Sequence, residues 1–226
     1  MSSVPRREHT LSAVLDHILP QVDRLHLFLH GYEAIPEATR RPNVTVTLGP
    51  RDHPFRASGK FHGLKQEPNP CMYFGFDDDI IYADGHVRRL RAALIRYGGH
   101  AIVGVHGVRF RSPNAPYTKD RRVRLFTDGL RFDEVVDEIG CGTCGFVSSE
   151  LPVDPPSWPH GDMDDLMIAI EAERRGLPRI AVRRPWRSIF AAFADEDESL
   201  WRQTVADHSR QTEQLKTLLR LMKRRH

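Results

Sequence analysis

Three consecutive aspartates, Asp77, Asp78 and Asp79, are the most distinctive chemical group in this 226-residue sequence. Adjacent carboxylates repel one another, so a chain that concentrates them usually offsets the repulsion with a cation or with strong hydrogen-bond donors. Mg²⁺ or Mn²⁺ is the natural partner, because both ions take oxygen ligands. The alternative is a solvated acidic turn, which three aspartates alone are equally able to form.

The residues around the aspartates predict where they lie in the fold. Residues 71–76 are apolar and predict a strand buried on both faces, and residues 80–82 are apolar again. A helix is predicted from about Asp84 to Tyr97, where Gly98 and Gly99 end it. The aspartates are therefore expected at the carboxyl end of a strand, the edge where open α/β sheets bind ligands.

The remaining hydrophobic pattern alternates between helices and strands. The predicted elements are a helix at 11–18 and strands at 25–29, 44–48 and 101–105. Residues 51–70 lack periodicity and predict a polar loop, whereas the basic residues 109–124 predict an extended loop or hairpin over the site. This alternation predicts an α/β fold with a mainly parallel sheet flanked by helices.

Two further helical patterns lie towards the C-terminus. The first runs from about Asp162 to Arg175 and ends at Gly176, and the second runs from Glu198 to Met222. The second is amphipathic and basic, which suits an anionic membrane surface, although packing on its own domain is the favoured interpretation. We therefore expect one domain at 1–195 and, at 196–226, a helix that packs on it or contacts a membrane or partner.

Composition limits the classes of function. The net charge of +3 is too small an excess to imply nucleic-acid binding. No run approaches the roughly 20 apolar residues that span a bilayer, and no secretory signal is recognisable, so we expect a cytoplasmic protein, with peripheral contact to the inner membrane face as an alternative. Three cysteines make an odd set and predict reduced thiols rather than a disulfide framework.

The run from Tyr73 to Tyr82 resembles the DXD region of GT-A glycosyltransferases, especially the family 2-like bacterial enzymes of surface-polysaccharide synthesis. Other segments follow in the order of that family. Val4 to Arg7 looks like its opening nucleotide-binding unit, and Gly59 to Phe61 looks like the basic loop before its DXD strand. Gly140 to Gly145 and Met163 to Leu166 complete a resemblance that spans most of the chain.

The resemblance implies a GT-A fold and transfer of a sugar from a nucleotide-sugar, with a UDP-sugar favoured, to a glycan or lipid-linked acceptor. In such enzymes the DXD aspartates contact the ribose and the metal-bound diphosphate of the donor, which maps to Asp77, Asp78 and Asp79. Asp79 is then the preferred ligand of Mn²⁺ or Mg²⁺, and Asp77 is the second. The other implied donor contacts are Pro5, Arg6, Lys60, Gly142 and Thr143.

The second acidic motif of the family supplies a base that deprotonates the acceptor hydroxyl, and Asp165, followed by Asp164, occupies its place. A carboxylate within hydrogen-bond reach suits this role, because the hydroxyl loses its proton as it attacks the anomeric carbon. Direct displacement of this kind inverts the anomeric centre. Without the resemblance, Asp162, Asp164 and Asp165 are equally well explained as an acidic helix N-terminus favoured by the helix dipole.

A few other residues are weaker candidates. His106 follows a predicted strand and is a candidate for the acceptor side, although a lone histidine more often makes structural hydrogen bonds. Cys141 and Cys144 have the spacing of a redox motif without its usual context, which leaves redox sensitivity open. Trp158 could support a sugar ring, although core packing is the usual role of a lone tryptophan. Arg7 is a phosphate contact or an exposed solubilising charge.

Two other functions use the same residues. A nucleotidyltransferase also combines clustered carboxylates with Mg²⁺ on an α/β scaffold, although the order of the downstream motifs disfavours it. A noncatalytic module that binds nucleotide-sugars or glycans would have the same fold without catalytic activity. The donor sugar, the acceptor and the linkage depend on loop conformations that the sequence does not specify.

Overall fold

The computed structural model describes residues 1–52, 57–112, 116–186, 188–191 and 200–224. The strands are β1 Ser2–Ser3, β2 Leu25–His30, β3 Val44–Gly49, β4 Met72–Phe74, β5 Ile80–Tyr82, β6 Ile102–Gly104, β7 Gly107–Phe110, β8 Arg121–Arg124, β9 Glu134–Val136, β10 Glu138–Ile139, β11 Cys144–Val147, β12 Arg179–Ala181 and β13 Ile189–Ala191. The α-helices are α1 Glu8–Ile18, α2 His86–Arg96, α3 Asp164–Arg175, α4 Leu200–Ala206 and α5 Ser209–Lys223. The fold is mixed α/β, as predicted.

The central sheet has a parallel part and a mixed part. β1, β2 and β3 form a three-stranded parallel sheet. The mixed part has the strand order β4-β11-β6-β12-β9. A parallel bridge between Ser2 and Asp77 joins the two parts. The first aspartate of the acidic run therefore lies beside β1, just beyond the carboxyl end of β4.

The expectation of a mainly parallel sheet is wrong. Among the strands that the structure describes, three of the nine pairings are parallel. β11 follows a short turn at Cys141–Thr143 and runs between β4 and β6, antiparallel to both. A buried apolar run has the same composition whichever way it points, so hydrophobic patterning does not predict strand direction.

Most predicted elements correspond to observed ones, and two elements in the first half of the chain need correction. Residues 57–66, within the predicted loop, form a 3₁₀ helix that packs against β2. Glycine permits this contact, because a Cβ on Gly59 would lie 2.4 Å from Cδ1 of Phe28. The strand predicted at 71–76 is shortened to β4 and is not buried on both faces, since Met72 is exposed.

Helices cover both faces of the sheet. Successive side chains of β6 point to opposite faces, so Ile102 packs into the core beneath α3 and α5, whereas Val103 packs into the core beneath α1 and α2. Leu215 and Leu218 place the apolar stripe of α5 in the first of these cores, against α3. The five-stranded sheet is therefore held between two hydrophobic cores.

The C-terminal segment predicted as one helix is two, α4 and α5. The Asp207 carboxylate accepts a hydrogen bond from the Ser209 N–H at 3.0 Å, which satisfies a backbone donor where α5 begins. The predicted domain boundary at 195/196 lies outside the described residues, and membrane contact by α5 stays a prediction. None of the helices in the described ranges has the length and apolar character needed to cross a membrane.

Candidate active site

A cleft of about 570 Å³ opens at the carboxyl edge of the sheet. Asp77, Asp78 and Asp79, which follow β4, line this cleft together with Asp164 and Asp165, which begin α3. The other lining residues are Ser2, Ser3, Val4, Arg6, Arg7, His30, Ala57, Lys60, Tyr117, Asp162, Met163, Leu166, Thr204 and Gln211. The two acidic motifs, far apart in the sequence, therefore meet in one cavity.

Lys60 connects the two acidic motifs. Its Nζ lies 2.6 Å from Oδ1 of Asp77 and 3.0 Å from Oδ2 of Asp164. Burial opposes the charged amine, but the carboxylates of Asp164 and Asp77 outweigh it and raise the pKa of Lys60 well above its usual value. Burial likewise opposes ionisation of Asp77, yet the Lys60 ammonium lowers the pKa of that carboxyl. The ion pair therefore persists at neutral pH.

Arg7 contacts the other two aspartates of the first motif. Its Nη1 lies 2.8 Å from Oδ1 of Asp78 and 3.0 Å from Oδ2 of Asp79. Partial burial is the main reason that the pKa of Asp79 rises to about 6, and the charge of Asp77 adds to the effect. Burial also raises the pKa of Asp78. One guanidinium shared between two carboxylates does not offset their burial and mutual repulsion.

The aspartates form a donor set that fits a divalent cation. Asp77–Asp79, Asp164 and Asp165 bring five carboxyl groups to the cleft, and Lys60 and Arg7 provide the salt bridges that hold four of them. The Asp79 side chain is 41% exposed, so its oxygens are accessible from the cleft. Carboxylate oxygens are the ligands that Mg²⁺ and Mn²⁺ prefer, and a cation would relieve the repulsion that raises the pKa of Asp79.

The other acidic residues of the cleft differ from Asp79 in how well they could bind a cation. Oδ1 of Asp77 is already paired with Lys60, and Oδ2 of Asp77 packs against Gly142, so Asp79 is the better ligand of the two. A second group of potential ligand atoms, from Cys141, Asp164 and Asp165, lies within 4.8 Å of one another. Asp164 and Asp165 line the same cleft and Cys141 is buried beside them, so the sulfur and the two carboxylates define an alternative place for a metal ion.

Asp165 is positioned by the backbone of the neighbouring turn. Its Oδ1 accepts a hydrogen bond from the Cys141 N–H at 2.7 Å. Burial, followed by the charge of Asp164, raises the pKa of Asp165 to about 7. A carboxyl group with such a pKa exchanges its proton readily near neutral pH, which suits a general base. Asp164 is paired with Lys60, so Asp165 is the better candidate for that role.

Gly142 and Thr143 lie behind the aspartates and do not line the cleft. Gly142 makes room for the Asp77 carboxylate, because a Cβ at this position would lie 1.7 Å from Oδ2 of Asp77. Thr143 is 2% exposed, and its hydroxyl donates to the Gly140 carbonyl at 3.2 Å. Gly142 therefore supports the first acidic motif, whereas Thr143 supports its own turn, and contact of either residue with a donor stays a prediction.

Replacing Gly142 by alanine tests this packing. We expect Gly142→Ala to destabilise the protein by about 1–3 kcal/mol, because the new methyl group overlaps the Asp77 carboxylate. In an Asp77→Ala background the same substitution should lower the free energy of unfolding by less, because the Asp77 carboxylate is absent. Urea unfolding of the four proteins in this double-mutant cycle measures the difference. An equal cost in both backgrounds would contradict the contact.

Three other candidates do not line the cleft. Pro5 is exposed at the start of a short 3₁₀ turn. The His106 ring lies 6.3 Å from the Phe126 ring, and burial lowers the pKa of His106 to about 4. Trp158 is buried and packs edge-on against Phe61, with 5.9 Å between ring centroids. The tryptophan therefore packs in the core, which was the alternative to a sugar platform.

Cys141 and Cys144 are buried free thiols. Burial raises the pKa of Cys141 well above its usual value, and the Cys144 thiol donates to the Cys141 carbonyl at 3.6 Å. The thiolate is the reactive form of cysteine, so a buried, protonated thiol reacts slowly with oxidants. This geometry favours a structural role for both cysteines.

Sequence reasoning missed the side of the cleft formed by Tyr117 and Gln211. Tyr117 lies between β7 and β8, and its hydroxyl donates to Oε1 of Glu138 at 2.8 Å. Glu138 is 2% exposed, and burial, followed by the charge of Asp165, raises its pKa to about 8. No local motif marks these residues, because they come from segments that meet only in the folded chain.

The raised pKa of Glu138 has a consequence for stability. In the folded state the pKa of Glu138 lies above its usual value of 4.5, so the protonated carboxyl favours the folded state at pH values below 4.5. This stabilisation is lost as the pH rises through about 8. We expect Glu138→Gln to raise the free energy of unfolding at about pH 9, by on the order of 5 kcal/mol, because glutamine does not ionise. At about pH 5 the two proteins should differ little. Thermal unfolding across this range measures the effect.

Glu134→Gln is the matched control for that experiment. Glu134 pairs with Arg124 at 2.6 Å, and this contact lowers the pKa of Glu134. Its replacement should therefore slightly destabilise the protein at neutral and high pH. A Glu138→Gln protein that lost as much stability as this control at high pH would contradict the assignment.

Comparisons with family models and with curated protein sequences identify no relative of this chain. The function is therefore inferred from the residues and the geometry of the cleft.

Proposed function

We propose that this protein is a metal-dependent glycosyltransferase with a GT-A fold. It would move a sugar from a nucleotide-sugar, with a UDP-sugar favoured, to a hydroxyl of a glycan or lipid-linked acceptor in surface-polysaccharide synthesis, with inversion at the anomeric carbon. One observation carries the proposal: the DXD-like run Asp77–Asp79 and the second motif at Asp164 and Asp165 line the same cleft, and Lys60 contacts both.

The observed sheet supports the fold part of this proposal. The parallel strands β1, β2 and β3 place Val4 to Arg7 at the carboxyl end of β1, beside the aspartates that follow β4. This is the edge where open α/β sheets bind nucleotides. The segment that resembles a nucleotide-binding unit and the segment that resembles a DXD region are therefore neighbours.

The donor half of the cleft combines carboxylates and cations. Asp79, with Asp77, would hold Mn²⁺ or Mg²⁺, which neutralises the charge that develops on a nucleoside diphosphate leaving group. Arg6 and Arg7 also line the cleft, and their positive charges would attract a diphosphate. Lys60 fixes the position of Asp77 through their 2.6 Å ion pair.

The acceptor half depends on Asp165. The Cys141 N–H holds Oδ1 of Asp165 in place, and Oδ2 remains to accept the proton of an acceptor hydroxyl. Losing that proton makes the hydroxyl oxygen a better nucleophile for the anomeric carbon. Asp164 keeps Lys60 oriented towards Asp77, so it supports the arrangement without acting as the base.

A thermal-shift screen tests the proposal. Nucleoside diphosphates and their sugar conjugates, each with and without Mn²⁺, should raise the melting temperature most when ligand and metal are both present. A ligand at 100 times its Kd stabilises the folded state by about 2.7 kcal/mol. Release of the nucleoside diphosphate from the best donor, in the presence of candidate acceptors, then reports transfer.

The other outcomes separate the alternatives. A shift with nucleoside triphosphates and release of pyrophosphate would replace the proposal by nucleotidyl transfer. A metal-dependent shift with sugar conjugates but no turnover with any acceptor would indicate a binding module. No metal-dependent shift with any of these compounds would contradict the proposal.

A further inference from the structure

A second cavity, of about 440 Å³, lies between α2 and the chain that follows β12. Among the described residues that line it, every charged one is an arginine. We use the name arginine surface for these residues and the two exposed aromatic residues beside them: Arg89, Arg96, Arg131, Arg183, Arg184, Phe132 and Trp186. The cavity is separate from the acidic cleft and shares no lining residue with it.

Acidic residues neutralise only part of this charge in the described chain. Asp133 forms a salt bridge with Arg96 and accepts a hydrogen bond from the Arg183 backbone N–H at 2.7 Å. Within the described ranges, the side chains of Arg89, Arg131 and Arg183 form no salt bridge with an acidic residue. An anion would therefore find guanidinium groups whose charge is not already paired.

Arg184 lies at the buried end of this group. The pKa of Arg184 is lowered to about 10, mainly by burial and also by the charges of Arg124 and Arg89. The Asp128 carboxylate acts in the opposite direction. Its Nη2 donates to the Leu125 carbonyl at 2.7 Å, which fixes the guanidinium in the wall of the cavity. The concentration of positive charge is therefore built into the fold.

The basic character continues along α2. The helix contains no acidic residue between His86 and Arg96, and Arg88 and Arg91 are exposed on its outer face. Ile95 is also exposed, so an aliphatic side chain lies among the arginines of this helix. The outer face of α2 therefore extends the cationic character of the cavity.

Two large aromatic side chains lie beside these cations. Phe132 and Trp186 are each 67% exposed. The Arg131 guanidinium lies 5.2 Å from the centre of the Phe132 ring, and the backbone of Trp186 packs close to Gly129. Exposed tryptophan and phenylalanine next to arginine are typical of surfaces that enter the interfacial region of a bilayer.

We propose that the arginine surface docks this protein on an anionic phospholipid bilayer. The arginines bind headgroup phosphates, and Phe132 and Trp186 enter the interfacial region. A nucleic acid is disfavoured because the exposed apolar set includes Ile95, on which bases do not stack, and because the whole chain carries a charge of only +3. This surface differs from the C-terminal helix and is independent of the proposed transfer reaction.

Strand directions show where a docked bilayer would lie. β11 is antiparallel to both β4 and β6, and β12 is parallel to β6, so β4 and β12 point the same way. Arg183, Arg184 and Trp186 follow β12, and the aspartates follow β4. The bilayer would therefore meet the edge of the sheet at which the acidic cleft also opens.

Sedimentation with vesicles tests the proposal on the whole chain. The protein should bind vesicles of phosphatidylcholine and phosphatidylglycerol, bind pure phosphatidylcholine weakly, and dissociate as salt is raised. Arg131→Gln combined with Arg183→Gln should lower partitioning on the order of 20-fold, since each arginine near an anionic surface contributes about fivefold. Phe132→Ala combined with Trp186→Ala should also lower partitioning and leave its salt dependence in place.

Two control pairs make the result specific to this surface. Arg40→Gln with Arg174→Gln removes two exposed charges elsewhere and should change partitioning little. Arg220→Gln with Lys223→Gln tests α5, and a loss confined to this pair would overturn the proposal in favour of the C-terminal helix. The proposal would also be overturned if the wild-type protein did not bind anionic vesicles, or if it bound an oligonucleotide through the same arginines instead. Circular dichroism confirms that each variant is folded.

Discussion

Asp165→Asn should strongly lower the rate of sugar transfer while leaving donor binding unchanged. Asparagine keeps the oxygen that accepts the Cys141 N–H, so the side chain stays in place, but it has no basic oxygen for the acceptor proton. Loss of a general base lowers the rate by about 10²- to 10⁴-fold. The thermal shift produced by donor and Mn²⁺ should match that of the unmodified protein, because Asp165 belongs to the acceptor half.

The matched control for this variant is Asp162→Asn. Asp162 also lines the cleft and precedes the same helix, but its carboxylate is 3.2 Å from Arg210. Its replacement should retain most of the transfer rate. Full transfer by Asp165→Asn would contradict the role of this residue, and loss of transfer confined to Asp164→Asn would assign the base to the other aspartate.

The pH dependence of transfer gives a further readout of the same side chain. A base with a pKa of about 7 should make kcat/KM rise as pH increases through that value. The Asp165→Asn protein should lack this rise in its residual activity. A rise that persists in the variant would assign the titration to another group.

Asp79→Asn should remove the metal-dependent part of donor binding. Asparagine is a weaker ligand for Mg²⁺ and Mn²⁺ because it lacks the negative charge of the carboxylate. The stabilisation by nucleoside diphosphate and Mn²⁺, about 2.7 kcal/mol at 100 times the Kd, should be lost, and any metal-independent shift should remain. Thermal unfolding with and without Mn²⁺ measures both quantities.

The unliganded Asp79→Asn protein should remain folded. Burial raises the pKa of Asp79, so ionising this carboxyl in the folded state is costly, and the neutral amide avoids that cost. Asp84→Asn, at an exposed aspartate five residues away, is the control and should behave like the unmodified protein. An unchanged Mn²⁺-dependent shift in Asp79→Asn would show that the cation, if bound, uses other ligands such as Cys141, Asp164 and Asp165.

Local patterns in the sequence were sufficient to predict most helices and strands. The spacing of Leu11, Val14, Leu15 and Ile18 predicts α1, and all four side chains are buried in the structure. Helix periodicity and β-branched runs are local properties, so they appear in the chain before it folds. The 3₁₀ segment 57–66 was missed because its glycines serve a contact with β2 rather than a loop.

Contacts between residues that are distant in the sequence determine the structural features that local sequence patterns do not predict. Tyr82 shows how such contacts work, because its hydroxyl accepts the Asp77 N–H at 2.8 Å and donates to the Gly142 carbonyl at 2.5 Å. These hydrogen bonds attach the turn before β11 to the start of the acidic run. Gly142 is 60 residues away from Tyr82, so the residues near Tyr82 in the sequence do not predict this partner.

The sequence by itself determined that carboxylates are concentrated at two points, one after an apolar strand and one at the start of a helix. The tertiary structure alone decided that Lys60 lies between Asp77 and Asp164, that Arg7 is shared by Asp78 and Asp79, and that Gly142 lies behind the cleft. The physical reason is that residue type sets the available charge, whereas burial and the distance between charges set the pKa values. Both depend on which distant segments the fold brings together.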